Sequence, residues 1–345
     1  MKILINTPDI NNLGGVANHY KGLKEYWNTE VNYHFIAGRN NIPGFILLPY
    51  DLLSFFYKLM FGSYDLVVLN PSLGSTALRR DAVFLYIASF FKVKKVVFFH
   101  GWNKDLSKKI EIDSSWFTKK YDKADAFFVL AKEFKKSLRG WGITKPIFLT
   151  TTKVDNRLIE DKPLRTNNQR TILFLARVEE YKGVFIALDV FHKLKDEFPD
   201  LKLVIAGGGS ALSSCRSMVQ SAGMNDVEFL GPINSTKVSE AFVNSDLYLL
   251  PTYGEGMPTS LLEAMAFGLP VVTTPVGGIP DFFDTKNMGS LVNSKDPSDF
   301  VDVISALLKS PDKMKKIAVF NKDYAKENFM ASRVALNIEN LLKKV

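Results

Sequence analysis

The chain has 345 residues, of which 46% are apolar and 23% are charged, so its composition excludes a disordered protein and its length favours two domains. The single cysteine, Cys215, excludes an intramolecular disulfide, and four scattered histidines exclude a zinc site of clustered cysteine and histidine. The net charge of +8 is uneven, because residues 1–150 hold 21 Lys and Arg against 12 Asp and Glu, whereas residues 201–300 hold 5 against 10.

Short apolar runs alternate with longer amphipathic stretches from the N-terminus onwards. Six runs rich in β-branched and aromatic residues are predicted as strands, namely Lys2–Thr7, Asn32–Ala37, Asp65–Asn70, Lys95–His100, Asp125–Leu130 and Pro146–Thr150. Helices are predicted between several of them, for example over Val16–Tyr26 and Ser72–Phe91. Strands that alternate with helices indicate a parallel, doubly wound sheet.

The second half repeats this pattern after a polar segment. Its predicted strands are Arg170–Ala176, Leu201–Ala206, Val227–Leu230, Leu247–Pro251 and Pro270–Thr274. The sequence therefore predicts an α/β protein with a Rossmann-like domain over 1–160, a linker over 161–169 and a second Rossmann-like domain over 170–325. A C-terminal helix over 326–345 could return to the first domain.

Membrane spans and export signals are not predicted. The first residues, MKILIN, lack the apolar core of a signal peptide, which predicts a cytoplasmic protein. The longest apolar run, Ala82–Phe91, is short, since a span needs about 20 apolar residues. The stretch Phe45–Phe61 contains Pro49, Asp51 and Lys58, which favours a surface helix. A peripheral location on the inner face of the membrane stays open.

Two glutamates lie around a predicted helix start after Leu247–Pro251. Glu255 precedes this start in a glycine-flanked loop, and Glu263 lies inside the helix, which Gly268 is expected to end. A helix N-terminus at the carboxyl end of a strand favours an anionic ligand. The structural alternative for Glu263 is a capping box with Ser260.

Two cations follow the first strand of the second half. Lys182 stands at the start of the helix from Val184, where the helix dipole disfavours a cation, so a bound anion would explain it better. Arg177 could reach the same anion with two hydrogen bonds. Salt bridges to Glu179 or Glu180 are the alternative.

Residues at three places in the second half resemble the donor-binding half of the family 4 retaining glycosyltransferases. They are Arg177 with Lys182-Gly183, the run Glu255-Gly256-Met257-Pro258 with Glu263-Ala264, and Gly268-Leu269-Pro270-Val271-Val272. Gly14-Gly15 resembles the N-terminal glycine loop of that family, and Gly277-Gly278-Ile279-Pro280-Asp281 resembles its later Gly-Gly-x-x-Glu segment. The resemblance covers essentially the whole chain and is specific over residues 170–285.

The resemblance implies a GT-B fold, in which two Rossmann-like domains with parallel sheets face each other across a cleft. The resemblance also implies that Arg177 and Lys182 of this chain hold the donor diphosphate and stabilise the charge of the leaving group. Glu263 binds the ribose hydroxyls. From the first domain, His100 contacts the donor sugar and the Gly15 N–H approaches a phosphate. No metal and no cofactor are required, and UDP is favoured over GDP.

The same resemblance assigns the donor sugar to one loop. Glu255 faces the sugar, the backbone amides of Gly256 and Met257 join it there, and Pro258 completes this donor-binding run. The predicted enzyme is a retaining, metal-independent glycosyltransferase that moves a hexose or N-acetylhexosamine to a glycan or lipid-linked acceptor, in bacterial surface polysaccharide synthesis. A nucleotide-sugar epimerase of the same architecture and a non-catalytic sugar-binding module stay open as alternatives.

A basic helical face in the first half is the last candidate feature. Its residues are Lys132, Lys135, Lys136 and Arg139. A solvated helix is the ordinary explanation, and an anionic membrane surface or a charged acceptor are the alternatives. Phe55, Phe56 and Phe61 would then be available to insert. Nucleic acid is not predicted, because no recognised binding module accompanies the charge.

Overall fold

The computed structural model describes residues 1–12, 14–39, 41–160, 164, 166 and 169–345. These residues form two α/β domains, the first comprising Met1–Lys153 with Ala331–Val345 and the second comprising Val154–Met330. The predicted linker over 161–169 lies mostly outside the described residues.

The first domain is built on a sheet of six parallel strands with helices between them. The strands are β1 (Lys2–Pro8), β2 (Glu30–Ile36), β3 (Leu66–Leu69), β4 (Lys94–Phe99), β5 (Ala126–Val129) and β6 (Ile147–Leu149). The helices are α1 (Gly15–Leu23), α2 (Gly44–Phe61), α3 (Ser75–Ala88), α4 (Lys104–Ile112), α5 (Ser115–Tyr121) and α6 (Lys132–Gly140), and Lys24–Tyr26 is a 3-10 helix. All six strands lie where the sequence predicts them.

The strand order in this sheet is β2-β1-β3-β4-β5-β6. The chain therefore steps in one direction from β1 to β2 and in the other direction from β2 onwards. Because crossover connections between parallel strands are right-handed, α1 covers one face of the sheet and α2 to α6 cover the opposite face. Strands β3 and β5 are buried at every residue, as expected for strands covered on both faces.

The second domain repeats this architecture with the strand order β12-β11-β10-β7-β8-β9. Its strands are β7 (Thr171–Leu175), β8 (Lys202–Ala206), β9 (Val227–Gly231), β10 (Leu247–Leu250), β11 (Val271–Thr273) and β12 (Gly289–Leu291). Its α-helices are α7 (Asn156–Glu160), α8 (Val184–Leu194), α9 (Leu212–Ser221), α10 (Ser235–Val243), α11 (Thr259–Phe267), α12 (Pro297–Leu308) and α13 (Pro311–Asn328). Short 3-10 helices cover Glu180–Lys182 and Ile279–Asp281.

The C-terminal helix α14 (Ala331–Leu342) belongs to the first domain. Glu339 of this helix accepts hydrogen bonds from the backbone N–H groups of Asn28, at 2.7 Å, and Thr29, at 2.9 Å. Five of the twelve residues of α14 are buried hydrophobic residues, so the amphipathic helix packs as the predicted returning helix would.

The domain boundaries differ from the predicted ones at both crossings. Residues 154–160 were expected in the first domain and lie in the second. The physical reason is local pairing, because Val154 and Met330 form a β-bridge and Ser239 donates a hydrogen bond to the Leu158 carbonyl at 3.1 Å. The same bridge keeps residues 326–330 in the second domain, so the returning segment begins at Ala331.

Candidate active site

Arg177 and Tyr181 form the first contact of the site, in the loop after β7. An Nη2 hydrogen of Arg177 is donated to the Tyr181 hydroxyl, and the guanidinium carbon lies 5.5 Å from the centre of the Tyr181 ring. The predicted alternative partner Glu179 instead accepts hydrogen bonds from the backbone N–H and hydroxyl of Ser210. Arg177 is exposed. Its guanidinium contacts an aromatic side chain and is not part of a buried ion pair.

Lys182 pairs with Glu255, although the two residues are 73 positions apart in the chain. The Nζ and Oε1 atoms lie 2.5 Å apart, and the two side chains are only 13% and 9% exposed. Lys182 Nζ also lies 5.3 Å from the Tyr181 ring centre. Because burying either charge alone would be costly, each group compensates the other. The structure thus brings together two residues that the sequence singled out separately.

Backbone geometry fixes both ends of this ion pair. Gly183, next to Lys182, has φ 78°, and a Cβ there would lie 2.0 Å from the Pro251 carbonyl oxygen, so a glycine is required. The Tyr253 N–H donates to the Tyr181 carbonyl at 2.8 Å and joins the two loops. These contacts hold Lys182 and Glu255 at the carboxyl ends of β7 and β10, where ligands bind in open α/β sheets.

The glycines of the Gly277-Gly278 segment lie against the Glu255 loop. The Gly278 N–H donates to the Gly256 carbonyl at 2.7 Å. Gly277 has φ 60°, and a Cβ there would lie 2.2 Å from the Glu255 carbonyl oxygen. The segment that the resemblance selects in the sequence therefore supports the backbone that carries Glu255.

Helix α11 begins directly after this loop, with Pro258 as the residue before its first turn. Ser260 lies inside the helix and its hydroxyl bonds the Tyr248 hydroxyl at 2.6 Å, so the predicted alternative of a Ser260–Glu263 capping box is wrong. Burial chiefly raises the pKa of Tyr248, and the nearby charges of Glu255 and Glu263 add to the rise. Both glutamates therefore lie around Tyr248.

Met257 and Pro258 are buried, and Gly256 is half-buried, between β10 and α11. The helix ends where the sequence predicts, since Gly268 caps it with φ 85°. The Gly207-Gly208-Gly209 loop after β8 lies beside the same site, because a Cβ on Gly207 would be 1.9 Å from the Ala176 carbonyl oxygen. The run Gly256–Pro258 lies between the two glutamates in the chain and leads directly into α11.

His100 lies in the first domain, at the carboxyl end of β4. Its Nε2 is 3.0 Å from Asn70 Oδ1, and Asn70 Nδ2 donates to the Asn6 carbonyl at 3.0 Å. Since this bond orients the Asn70 amide, Nε2 of His100 carries the hydrogen and Nδ1 is the acceptor. Burial lowers the pKa of His100 to about 3, so the ring is neutral.

Two further side chains complete this cluster. Tyr20 donates its hydroxyl hydrogen to Asn70 Oδ1 at 2.6 Å, and the His19 ring centre lies 5.0 Å from that of His100. Burial, followed by the charges of His100 and Lys153, holds the pKa of His19 well below its usual value. Gly15 begins α1, and its Cβ position has no described atom within 4 Å.

Sequence reasoning did not identify Tyr181, Asn70 or His19. Asn70 directly follows β3, and a polar residue at that point of a buried strand is a signal that could have identified it. Tyr181 carried no such signal, because its role is to hold the two neighbouring cations. In the described part of the chain, no group of three His, Cys, Asp or Glu side chains is arranged to hold a metal ion.

Known proteins share sequence with the second domain in particular. Residues 155–323 match the family model described as glycosyl transferases group 1. A D-inositol 3-phosphate glycosyltransferase of Corynebacterium jeikeium is 31% identical over 184 residues, which cover 51% of this chain and 43% of the relative. A glycosyltransferase of Haemophilus influenzae, named as uncharacterized, is 30% identical over 159 residues, covering 46% of this chain and 44% of the relative. The matches span less than half of either relative.

Solved structures resemble both domains. A sucrose-phosphate synthase from Thermosynechococcus elongatus has a TM-score of 0.74 at 17% identity, covering 100% of this chain and 99% of the other. The Anabaena protein HepE in complex with UDP has a TM-score of 0.79 at 15% identity, covering both chains fully. The predicted α/β GT-B class with two Rossmann-like domains is thereby confirmed. Over residues 155–323, the chain is therefore similar to the group 1 glycosyltransferases.

Proposed function

We propose that this chain is a glycosyltransferase that moves a hexose or an N-acetylhexosamine from a nucleoside-diphosphate sugar to a glycan or lipid-linked acceptor. The observation that carries the proposal is the Lys182–Glu255 pair beside the Arg177–Tyr181 contact, within a group 1 domain. Two cations and a carboxylate at the carboxyl end of a parallel sheet suit a donor with both phosphates and hydroxyls. The reaction would serve bacterial surface polysaccharide synthesis in the cytoplasm.

The proposed sugar transfer requires that the negative charge on the diphosphate be stabilised. Transfer breaks the bond between the anomeric carbon and a phosphate oxygen, so negative charge develops on the leaving nucleoside diphosphate. Arg177 can bind phosphate oxygens with two hydrogen bonds, and Lys182 adds a compact charge. Such preorganised cations lower the barrier most when they are shielded from water, as Lys182 is. In this proposal they replace a metal ion.

The carboxylates then act on the hydroxyl groups of the donor. As the diphosphate takes Lys182, Glu255 is left to accept hydrogen bonds from the sugar, beside the amides of Gly256 and Met257. Glu263 would bind the ribose. Anomeric configuration would be retained by front-face displacement. UDP is the favoured nucleotide, since HepE has been crystallised with UDP and with UDP-glucose.

His100 would meet the sugar from the first domain. Its Nδ1 is an acceptor without a hydrogen-bond partner among the described atoms, and its neutral ring stays so at physiological pH. A sugar hydroxyl is the matching donor. The N–H of Gly15, at the start of α1, would approach a phosphate, because helix N-termini favour anions.

The test combines nucleotide binding with product analysis. Lys182→Ala and Arg177→Ala should each weaken UDP binding about tenfold or more and lower transfer, since each removes a charge-assisted contact. Lys316→Ala is the control, because Lys316 is exposed on α13. Unchanged binding and turnover in both variants would contradict the proposal. Conversion of the donor sugar without an acceptor would identify the epimerase instead.

A further inference from the structure

Helix α2 exposes a face without a single charged residue. Every exposed residue of this fully described helix is apolar or aromatic, and these residues are Phe45, Ile46, Pro49, Tyr50, Leu53, Tyr57, Met60 and Phe61. The exposed fraction reaches 78% at Phe45 and 74% at Phe61. Ile46, Tyr50, Leu53, Tyr57 and Met60 are spaced by four and three residues, which places them on one stripe.

Neither of the two charged residues of α2 belongs to this stripe. Asp51 is 1% exposed and pairs with Arg39 at 2.5 Å. Lys58 is half-buried and donates to the Tyr33 carbonyl at 2.8 Å. Both charges are thus neutralised or hydrogen-bonded within the domain, and the outer side of the helix remains apolar.

The apolar surface continues from α2 onto the end of α3. The Phe56 and Phe91 rings lie 5.3 Å apart and join the two segments, and Tyr86 and Phe90 beyond them are exposed. We call the exposed residues of α2 together with Tyr86 and Phe90 the α2–α3 face. An open groove of ≈ 600 Å³ runs along α2 at the edge of this face, where Tyr50, Leu53, Tyr57 and Phe61 lie beside Lys58.

Lysines border the α2–α3 face on the α3 side. Lys123 Nζ lies 5.5 Å from the centre of the Tyr86 ring, and Lys92 and Lys94 follow Phe90 in the chain and are exposed. Lys119 and Lys120 are exposed in the last turn of α5, which packs against α3. Asp122 is exposed among them, Asp65 accepts a backbone hydrogen bond from Lys94, and Asp125 pairs with Lys95 at 2.8 Å, so the lysines outnumber the acidic residues. This border is therefore complementary to an anionic surface.

A transmembrane orientation of α2 does not fit its packing. The helix has 18 residues and is long and apolar enough to cross a membrane by length and composition alone. Phe55, however, is fully buried, with its ring 5.4 Å from that of His34 and 5.1 Å from that of Phe84. The expectation that Phe55 could insert into a membrane is therefore wrong. One side of α2 packs against the first domain, and the other side is exposed.

We propose that the α2–α3 face binds in the plane of an anionic lipid bilayer, with the apolar stripe among the acyl chains and the border lysines at the headgroups. Helices with one apolar face and flanking cations bind membranes in this way. Helix α6, with the predicted basic face, lacks such an anchor because its apolar residues Phe134 and Leu138 are buried. This inference goes beyond the proposed reaction and does not depend on it.

Vesicle flotation of the full chain tests the proposal. Vesicles of phosphatidylcholine and phosphatidylglycerol in equal parts should carry the protein, and phosphatidylcholine alone should carry much less. The double variant Leu53→Ser/Tyr57→Ser should lower the bound fraction about tenfold or more. Lys92→Ser/Lys123→Ser should lower it only with anionic vesicles, and about 1 M salt should have the same effect. Leu336→Ser is the matched control, since Leu336 is 42% exposed on α14.

Three outcomes would overturn the proposal. The first is equal flotation of the parent and Leu53→Ser/Tyr57→Ser, with both folded by circular dichroism. The second is loss of flotation only when Lys132, Lys135, Lys136 and Arg139 are replaced, which would assign the membrane contact to α6. The third is a parent protein that does not float but dimerises through this face, so that the double variant becomes monomeric in light scattering. Tyr50→Ser serves as a milder variant if the double variant unfolds.

Discussion

Lys182 and Glu255 neutralise each other at a site where the proposed donor brings two phosphates. A carboxylate 2.5 Å from the ammonium competes with any anion that approaches Lys182. The same carboxylate removes the cost of a buried, unpaired lysine. In the proposed function, Glu255 would therefore hold Lys182 in place for the diphosphate, while Arg177, which is held by Tyr181, would stay accessible to it.

The first prediction concerns Glu255→Gln. Turnover should fall about a hundredfold, because the carboxylate proposed to accept the sugar hydroxyls is lost. Affinity for UDP should stay within about threefold of the parent or rise. The reason is that the negative charge of Glu255, which competes with the diphosphate for Lys182, is removed. Turnover is measured by product formation and affinity by calorimetry. Affinity that falls in step with turnover would instead indicate that Glu255 positions the loop.

At the residue scale, the sequence was sufficient to select candidate site residues where the spacing of charged residues and glycines is typical of a ligand site. Arg177, Lys182 and Glu255 could be selected as candidates, because a cation at a helix start and a carboxylate in a glycine-flanked loop have few structural explanations, and their roles toward a donor stay predictions. Tyr181 and the Lys182–Glu255 contact could not, since they depend on how two loops 73 residues apart pack together. The carboxyl ends of parallel strands meet at one edge, but no periodicity specifies which side chains touch there.

Among the elements, apolar runs were predictable, including the short edge strand β6, whereas the edge strand β12 was not. Strand β12 (Gly289–Leu291) was missed because it has three residues and begins with a glycine. It forms only because β11 offers free backbone groups at the edge, so tertiary pairing overrides local propensity. Predicted helix Ser72–Phe91 is shorter in the structure, since α3 ends at Ala88 and the aromatic residues after it are surface residues.

The second prediction concerns the docking of α14. Glu339 is 1% exposed and accepts four hydrogen bonds from Asn28 and Thr29. Burial alone would raise the pKa of Glu339, but these hydrogen bonds hold it below its ordinary value. Glu339→Gln keeps the shape and removes the charge, so it should lower the free energy of unfolding by about 1–3 kcal/mol.

Urea unfolding followed by circular dichroism measures this loss. Glu327→Gln, at an exposed position of α13, is the control and should change the free energy of unfolding by less than about 0.5 kcal/mol. Because the pKa of Glu339 is lowered, its contribution is present above the pKa of the unfolded chain and is lost as the pH falls through the folded value. Equal stability of the two variants would show that α14 docks through apolar packing alone.

Across the molecule, the two domains differ in the groups that respond to pH. Three of the four histidines, His19, His34 and His100, lie in the first domain, and burial is the main cause of the low pKa of each. The fourth, His192, is exposed in the second domain. All four tryptophans, at positions 27, 102, 116 and 141, also lie in the first domain, so their fluorescence reports on that domain alone.

The last prediction is that mild acid weakens the first domain selectively. The pKa values of His34 and His100 fall to about 3 on folding, so folding favours the neutral rings. The stability that they contribute is therefore complete above the unfolded pKa of about 6.5 and is lost as the pH falls from there towards 3. At pH 5 this loss is about 2 kcal/mol for each of them.

Between pH 7 and pH 5 the urea midpoint of tryptophan fluorescence should fall further than that of circular dichroism, and His192→Gln should leave both shifts unchanged. Midpoints that move together, or not at all, would mean that the buried histidines do not set the acid response of the molecule.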